Sequence, residues 1–278
     1  LDPGQRLIYG WQTFSDAVKH ERRFTFWSMG DPHAHPVYDE HPDNMPVGKM
    51  LDRIADAVVE ADLLHELPTD TPLWRVRIHN ASVSLNRDSD LSAPPRGCAS
   101  QPNRMSPAGI SMFYGSEDFE TALAETLDPH RVAGKRVTGG LFNPVRPLVV
   151  LDLFALPGVP SFFDEDAFDL RYTLIFLRAF ARNVSQPITR DGREHIDYVP
   201  TQAFSEYVRY RMKGAEGRAI DGIRFRSSKN GKACYVIFCA QEQCLEQTDP
   251  YGPAQILRFD PSSLRSVDAS AYGSPGEH

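Results

Sequence analysis

Asn103-Arg104-Met105-Ser106-Pro107-Ala108-Gly109-Ile110-Ser111-Met112-Phe113-Tyr114-Gly115-Ser116-Glu117-Asp118-Phe119-Glu120-Thr121-Ala122-Leu123-Ala124-Glu125 is the stretch on which the reading of this chain turns. Pro107 and Gly109 mark a loop, and residues 111 to 114 form a short apolar strand. Ser116 is the expected N-cap of a helix, with Glu117 and Asp118 in its first turn, where the helix dipole favours anions. Phe119, Ala122, Leu123 and Thr126 make the inward stripe of that helix, and Glu125 lies beside the stripe, at a position suited to the lip of a cleft. Arg104, Tyr114 and Glu125 thus sit on a loop, a strand and a helix in succession. About a hundred residues later comes Asp221-Gly222-Ile223-Arg224-Phe225-Arg226-Ser227-Ser228, a strand ending on paired hydroxyls, then the apolar strand Tyr235-Val236-Ile237-Phe238.

Around these segments the pattern is that of an α+β fold of mixed short strands and a few helices, preceded by a helical module. Composition changes at Pro68-Thr69-Asp70-Thr71-Pro72. Before it, residues 48 to 67 place Leu51, Ile54, Ala55, Val58, Val59, Leu63 and Leu67 at helical spacing. Residues 7 to 28 predict another helix, with Trp11, Phe14, Val18, Phe24 and Trp27 as its apolar set. After the divide, Trp74, Val76 and Ile78 alternate with Arg75 and Arg77, giving a strand with one apolar and one cationic face. Residues 147 to 156 read as a buried strand and 164 to 182 as an apolar helix. Thr201 is expected to cap a further helix, and strands at 222–226, 234–239 and 255–259 finish the domain. The expected boundaries are a helical module over 1–67, a main domain over 73–265 and a frayed polar tail over 266–278.

The 278 residues carry a formal net charge of −7. That balance excludes a general nucleic-acid or anionic-membrane surface, so any anion site is a local cluster of arginines. No apolar run reaches membrane-spanning length, and the first 30 residues hold charged groups throughout and no signal-peptide core, so a cytoplasmic location is expected. Cys234, Cys239 and Cys244 recur every five residues, unlike the tight pairs of zinc sites, and read as small buried hydrophobes. His33, His35 and His41 lie in a proline-rich loop with no Cys or Glu at ligand spacing, so no metal is expected. Arg190 and His195 fit an Arg-x4-His ribonuclease pattern, but Gly192 between them works against the single helical face that this chemistry needs.

An Arg, a Glu and a Ser so arranged resemble the RES family, named after those three residue types, over roughly residues 73 to 259. The opening Gly10-Trp11 and Val18-Lys19-His20 resemble the HEPN/RES-type N-terminal domain of the family's longer members, and Glu194-His195-Ile196-Asp197-Tyr198-Val199-Pro200-Thr201-Gln202 looks like the stretch that precedes a helix in those members. The chain departs from many short members in one place: they carry Gly-Arg-Trp-Asn at the arginine, where this chain has Asn103-Arg104-Met105-Ser106. The resemblance implies an ADP-ribosyltransferase-like fold and NAD consumption, in the family as bacterial toxins or defence effectors. It implies NAD as substrate, inorganic phosphate as a candidate co-substrate, no prosthetic group, and as partners an antitoxin or regulatory protein and a second copy of the chain.

The residue chemistry agrees with that substrate. A pyrophosphate suits the planar donor fork of Arg104, with Arg75 or Arg77 as a second anion contact. Tyr114 offers a flat face to a nicotinamide ring, and Glu125 a carboxylate to a ribosyl cation. Ser227 is placed to bond the nicotinamide amide or a ribose hydroxyl, and His195, Tyr198 and Gln202 to line the pocket. Taken singly, each has a plainer reading: a loop arginine, a rim tyrosine, a solvated glutamate, a turn serine. Three functions follow. The first is cleavage of the nicotinamide–ribose bond, by water or phosphate. The second is ADP-ribosylation of a protein or nucleic acid. The third is a nucleotide-binding module without turnover. The N-terminal module is expected to supply no catalytic side chain.

Overall fold

The computed structural model describes residues 1–29, 45–128, 130–186, 192–246, 252 and 254–272. His33, His35, His41 and Arg190 lie outside these residues. Among the described residues, no group of His, Cys, Asp and Glu is arranged to hold a metal, and no helix is long and apolar enough to cross a membrane.

The helices are α1 (Pro3–His20), α2 (Met50–Glu60), α3 (Asp88–Leu91), α4 (Phe119–Thr126), α5 (Phe168–Ser185), α6 (Glu194–Asp197) and α7 (Val199–Tyr210). The strands are β1 (Leu64–Leu67), β2 (Leu73–Asn80), β3 (Phe113–Ser116), β4 (Lys135–Pro144), β5 (Leu148–Asp152), β6 (Gly222–Arg226), β7 (Ala233–Ile237), β8 (Cys244–Glu246) and β9 (Leu257–Asp268). The fold is α+β, as the alternation of strand and helix periods predicts. The chain divides into two compact units, the first comprising residues 1–65, 101–108 and 151–220 and the second the rest. The N-terminal helices therefore share a unit with later segments.

The first unit is helical. Asp2 caps α1, accepting from Gln5 N at 2.8 Å, with Pro3 opening the helix. Trp11 meets Phe180 edge-on at 4.9 Å, and Phe180 meets Phe204 at 4.8 Å, which ties α1, α5 and α7 together through rings. Trp11 Nε1 donates to Asn183 Oδ1 at 2.9 Å, so the buried indole keeps its polar handle satisfied. On α7, Tyr207 donates to Asp52 of α2 at 2.6 Å. Burial, and then the bond to Asp52, push the Tyr207 phenol well above its ordinary value.

Several expected boundaries move. The first helix ends at His20, and Phe24 and Trp27 are exposed rather than part of its stripe. The helix expected to reach Leu67 stops at Glu60. Asp62 adopts φ 51° and turns the chain, and residues 64–67 become a strand instead. Val59, counted in the stripe by spacing, is 66% exposed. Thr201 does not cap α7; Tyr198 is the N-cap, and Thr201 Oγ1 donates back to Tyr198 O at 3.0 Å. The tail does not fray at Ser266. β9 runs to Asp268 against β4, and Ala269 beyond it is buried, because the long β4 supplies ladder partners that composition does not reveal.

In the second unit the strands form one mixed sheet in the order β1-β5-β6-β7-β3-β2-β4-β9-β8, with the division between units passing within β1 and β5. β2, β3, β4, β6, β7 and β9 pair antiparallel, and β8 runs parallel to β9. One face of β2 packs Trp74, Val76 and Ile78 against Phe119, Ala122 and Leu123 of α4. The other face carries a row of rings, Phe113–Phe142 at 4.9 Å and Phe142–Phe259 at 5.1 Å. Cys234, Cys239 and Cys244 are buried, as expected, and take part in no disulfide among the described residues.

Two adjacent glycines of β4 let rings approach on both faces. A Cβ on Gly139 would lie 2.7 Å from the Phe119 ring, and one on Gly140 would lie 2.5 Å from the Phe259 ring. Gly140→Ala is expected to cost about 1–3 kcal/mol through overpacking, read as a lower urea midpoint at unchanged m-value. A wild-type midpoint would show that Phe259 yields freely.

Candidate functional site

Strand register sorts the predicted residues of the second unit onto two faces. Trp74 opposes Ser116. Tyr114 and Ser116 oppose Val236 and Cys234, which in turn oppose Ile223 and Phe225 of β6. Directly opposed residues share a face, and alternate residues of a strand do too. Tyr114 therefore lies on the face of Trp74 and Val76, the face covered by α4. Ser227, two residues beyond Phe225, continues that face, its N–H bonded to Lys232 O at 2.8 Å.

α4 is set on this face from its first residue. Its N-cap is Asp118, which accepts from Thr121 N at 2.7 Å. Ser116, the expected cap, is the last residue of β3 and is buried against Cys234, so the strand runs two residues further than the sequence suggests. Asp118 also pairs with Lys232 at 2.5 Å. Burial raises the Asp118 carboxyl, but the bonds from Lys232 and Thr121 outweigh it and leave the group below its ordinary value. The cap's contribution is therefore present above the ordinary carboxylate range and is lost as pH falls through the lowered value.

Two turns beyond Asp118 on α4 stands Glu125. Ser227 Oγ donates to Glu125 Oε1 at 2.5 Å, joining residues 102 positions apart. Ser227 is 3% exposed, and its Oγ accepts from Lys229 N at 3.1 Å and Asn230 N at 3.4 Å. Two amide dipoles thus polarise the hydroxyl that holds the carboxylate. Glu125 Oε2 makes no hydrogen bond among the described residues, so one carboxylate oxygen is oriented and the other is open. This arrangement can orient a hydroxyl or stand beside a developing cation.

Arg75 and Arg77 occupy the opposite face of the sheet from Tyr114, Glu125 and Ser227, by the same register. Arg75 Nη1 donates to Tyr114 O at 2.7 Å, and its guanidinium lies 5.3 Å from the Phe113 ring centroid. Arg77 Nη2 donates to Ser92 O at 2.9 Å. Both Nε atoms are buried without an acceptor among the described residues. Burial, with the neighbouring Arg77 cation adding to it, pulls Arg75 down to about 10.

The Asp-Gly-Ile run before Ser227 is a structural junction. Asp221 takes a two-pronged bond from Arg146 at 2.7 and 2.9 Å and a third from Val149 N at 2.9 Å. Gly222 is required because a Cβ there would lie 2.4 Å from Val236 O.

Arg104, His195, Tyr198 and Gln202 belong to the first unit. The loop carrying Arg104 is gripped by α7 through its carbonyls. Thr201 Oγ1 donates to Arg104 O at 2.5 Å, and Ser205 Oγ to Met105 O. Gln202 Nε2 donates to Asn103 O at 2.8 Å and Ser106 O at 3.2 Å. The Gln202 amide nitrogen is thus engaged in shaping the loop. Arg104 Nη1 donates to Val184 O at 2.8 Å and to Gln186 O, capping the last carbonyls of α5. Its Nε and Nη2 make no hydrogen bond among the described residues. His195 is exposed on α6 and Tyr198 half-buried at the start of α7.

Sequence reasoning missed Thr121 and Asn230. Asn230 Nδ2 donates to Thr121 Oγ1 at 2.8 Å, beside the Glu125–Ser227 pair. The i, i+4 spacing of Thr121 and Glu125 was the available signal, but nothing local names the partner.

A family model described as the RES domain matches residues 72–260, more than half of the chain. No curated protein and no solved structure gives a significant match. The RES family is associated with NAD-related toxin activity. With the residues of the Arg, Glu and Ser pattern inside the matched span, and the Glu and Ser in direct contact, the chain belongs to the RES-domain family.

Proposed function

We propose that this protein consumes NAD by cleaving its nicotinamide–ribose bond, as a glycohydrolase or phosphorylase and in the setting of a bacterial toxin or defence effector held by a regulatory protein. The observation that carries the reading is the 2.5 Å bond between Ser227 and Glu125, two of the three residue types that name the family. In the reaction the bond between C1′ and the pyridinium nitrogen breaks, and its electron pair neutralises the departing nicotinamide. The leaving group needs no proton, so the site has chiefly to favour the ribosyl cation over bound NAD. Glu125, held through Oε1, sets Oε2 beside that cation or on a ribose hydroxyl. Water or phosphate then bonds to C1′ and gives up a proton. Tyr114, on the same face, is proposed as the surface for the nicotinamide ring. Arg104 is proposed as an anion contact through its Nε and Nη2 edge; Arg75 and Arg77, on the opposite face of the sheet with their Nε atoms buried, take no part in this reading.

Purified protein is incubated with NAD, with and without phosphate, and free nicotinamide is followed. Release alongside ADP-ribose identifies hydrolysis, and release alongside a ribose-phosphate ester identifies phosphorolysis. Label transferred from NAD to protein or nucleic acid in an added lysate identifies the transferase instead. Binding of NAD with no release under any condition overturns catalysis and leaves a nucleotide-binding module.

A further inference from the structure

The turn that carries Ser227 is fastened to α4 at three points. Ser227 meets Glu125, Asn230 meets Thr121 at 2.8 Å, and Lys232 meets Asp118 at 2.5 Å. On the helix the three contacts are residues 118, 121 and 125, at spacings of three and four, so they line one side. Of the three, Lys232–Asp118 is an exposed ion pair and a weak determinant of position. Asn230 differs because both polar atoms of its side chain and its backbone N–H are engaged. Its Nδ2 donates to Thr121, its Oδ1 accepts from Lys232 N at 3.1 Å, and its own N–H reaches Ser227 Oγ at 3.4 Å. Thr121 is fully buried, so the acceptor that Asn230 finds is fixed by the core beneath α4. Gly231 takes φ 76°, which lets the chain turn back onto β7 directly after Asn230. The Asn230 side chain thus spans from the interior of α4 to the backbone of the turn that presents the serine hydroxyl.

We infer that Asn230 is a positioning residue, which sets the distance between the Ser227 hydroxyl and the Glu125 carboxylate by holding the 227–232 turn against Thr121. This rests on the catalytic reading of Glu125 given above. Without Asn230 the turn keeps the exposed Lys232 pair, which has no geometric fork to hold a hydroxyl in line. Ser227 then spends part of its time pointing away, and Glu125 loses its orientation. A misplacement of that size costs turnover more than binding, because the substrate's remote contacts are unchanged.

The test is Asn230→Ala, with Thr121→Val as the matching change on the helix. Each is expected to lower kcat for nicotinamide release roughly 10- to 100-fold with KM nearly unchanged. The double variant should be no slower than the slower single one, because both remove the same bond. Thr121→Ser keeps the acceptor and should recover most of the rate. Wild-type kcat in Asn230→Ala overturns the inference, as does a double variant slowed by the product of the two single effects. The crystal structure of Asn230→Ala decides the matter independently of activity. Loss of the Ser227–Glu125 bond supports positioning, and its retention at 2.5 Å overturns it whatever the rate. If the wild-type protein releases no nicotinamide, the catalytic reading fails alone, and the same crystallographic comparison still decides what Asn230 does.

Discussion

Glu125→Gln is expected to lower nicotinamide release by about 10²- to 10³-fold while leaving thermal stability within about 0.5 kcal/mol of wild type. Glutamine has nearly the shape of glutamate and still offers an oxygen to Ser227 Oγ, so the 2.5 Å contact survives in kind. What disappears is the negative charge, which favours positive charge on the ribose over positive charge on the bound pyridinium ring. Progress curves at saturating NAD, with urea unfolding on the same samples, separate the two effects. Turnover near the wild-type rate would remove Glu125 from the mechanism. A large loss of stability would assign the residue to the fold instead.

Asp221→Ala is expected to destabilise the fold by about 2–4 kcal/mol. Its carboxylate, almost wholly buried, receives three hydrogen bonds, two from Arg146 and one from Val149 N. Removing it leaves the Arg146 guanidinium and a buried amide without that partner. The solvent reaching Arg146, which is 45% exposed, keeps the cost below that of a fully buried pair. Backbone bonds converge on the same residue: Asp221 N donates to Val149 O at 2.7 Å, and Phe238 N donates to Asp221 O at 2.8 Å. The variant should therefore loosen β5 against β6 and lower the urea midpoint, with accelerated amide exchange at Val149. An unchanged midpoint would show that the junction is held by its backbone bonds alone.

The faces of the strand and helix that build the site were legible in the sequence, whereas β4 was not. Alternation of Trp74, Val76 and Ile78 with Arg75 and Arg77 predicts a two-faced strand, and the structure packs the first set against α4. The spacing of Phe119, Ala122 and Leu123 predicts the buried side of α4, because helical period and burial are set within a few residues. Glu125 at the edge of that stripe followed from the same arithmetic. Element ends were less legible. Ser116 and Asp118 are both good caps in isolation, and only the pairing of β3 with β7 decides that Ser116 is spent in the strand. Residues 64–67 fit a helical stripe as well as a strand, and Asp62 with positive φ breaks the tie.

The sequence by itself determined the fold class, the residue types of the family pattern and the chemistry they suit, since these depend on periodicity, side-chain type and spacing. Only the tertiary structure decided which of those residues meet. Sheet order is a property of long-range pairing, and it brings Ser227 to Glu125 across 102 positions while sending Arg75 and Arg77 to the other face. One step of register separates the two outcomes, because side chains alternate across a strand with period two. The same long-range pairing commits Gln202 and Arg104 to carbonyls of their own unit, and it recruits Thr121 and Asn230, which no local pattern marks. Contacts of this range are fixed by the packed whole, where each buried donor must find an acceptor.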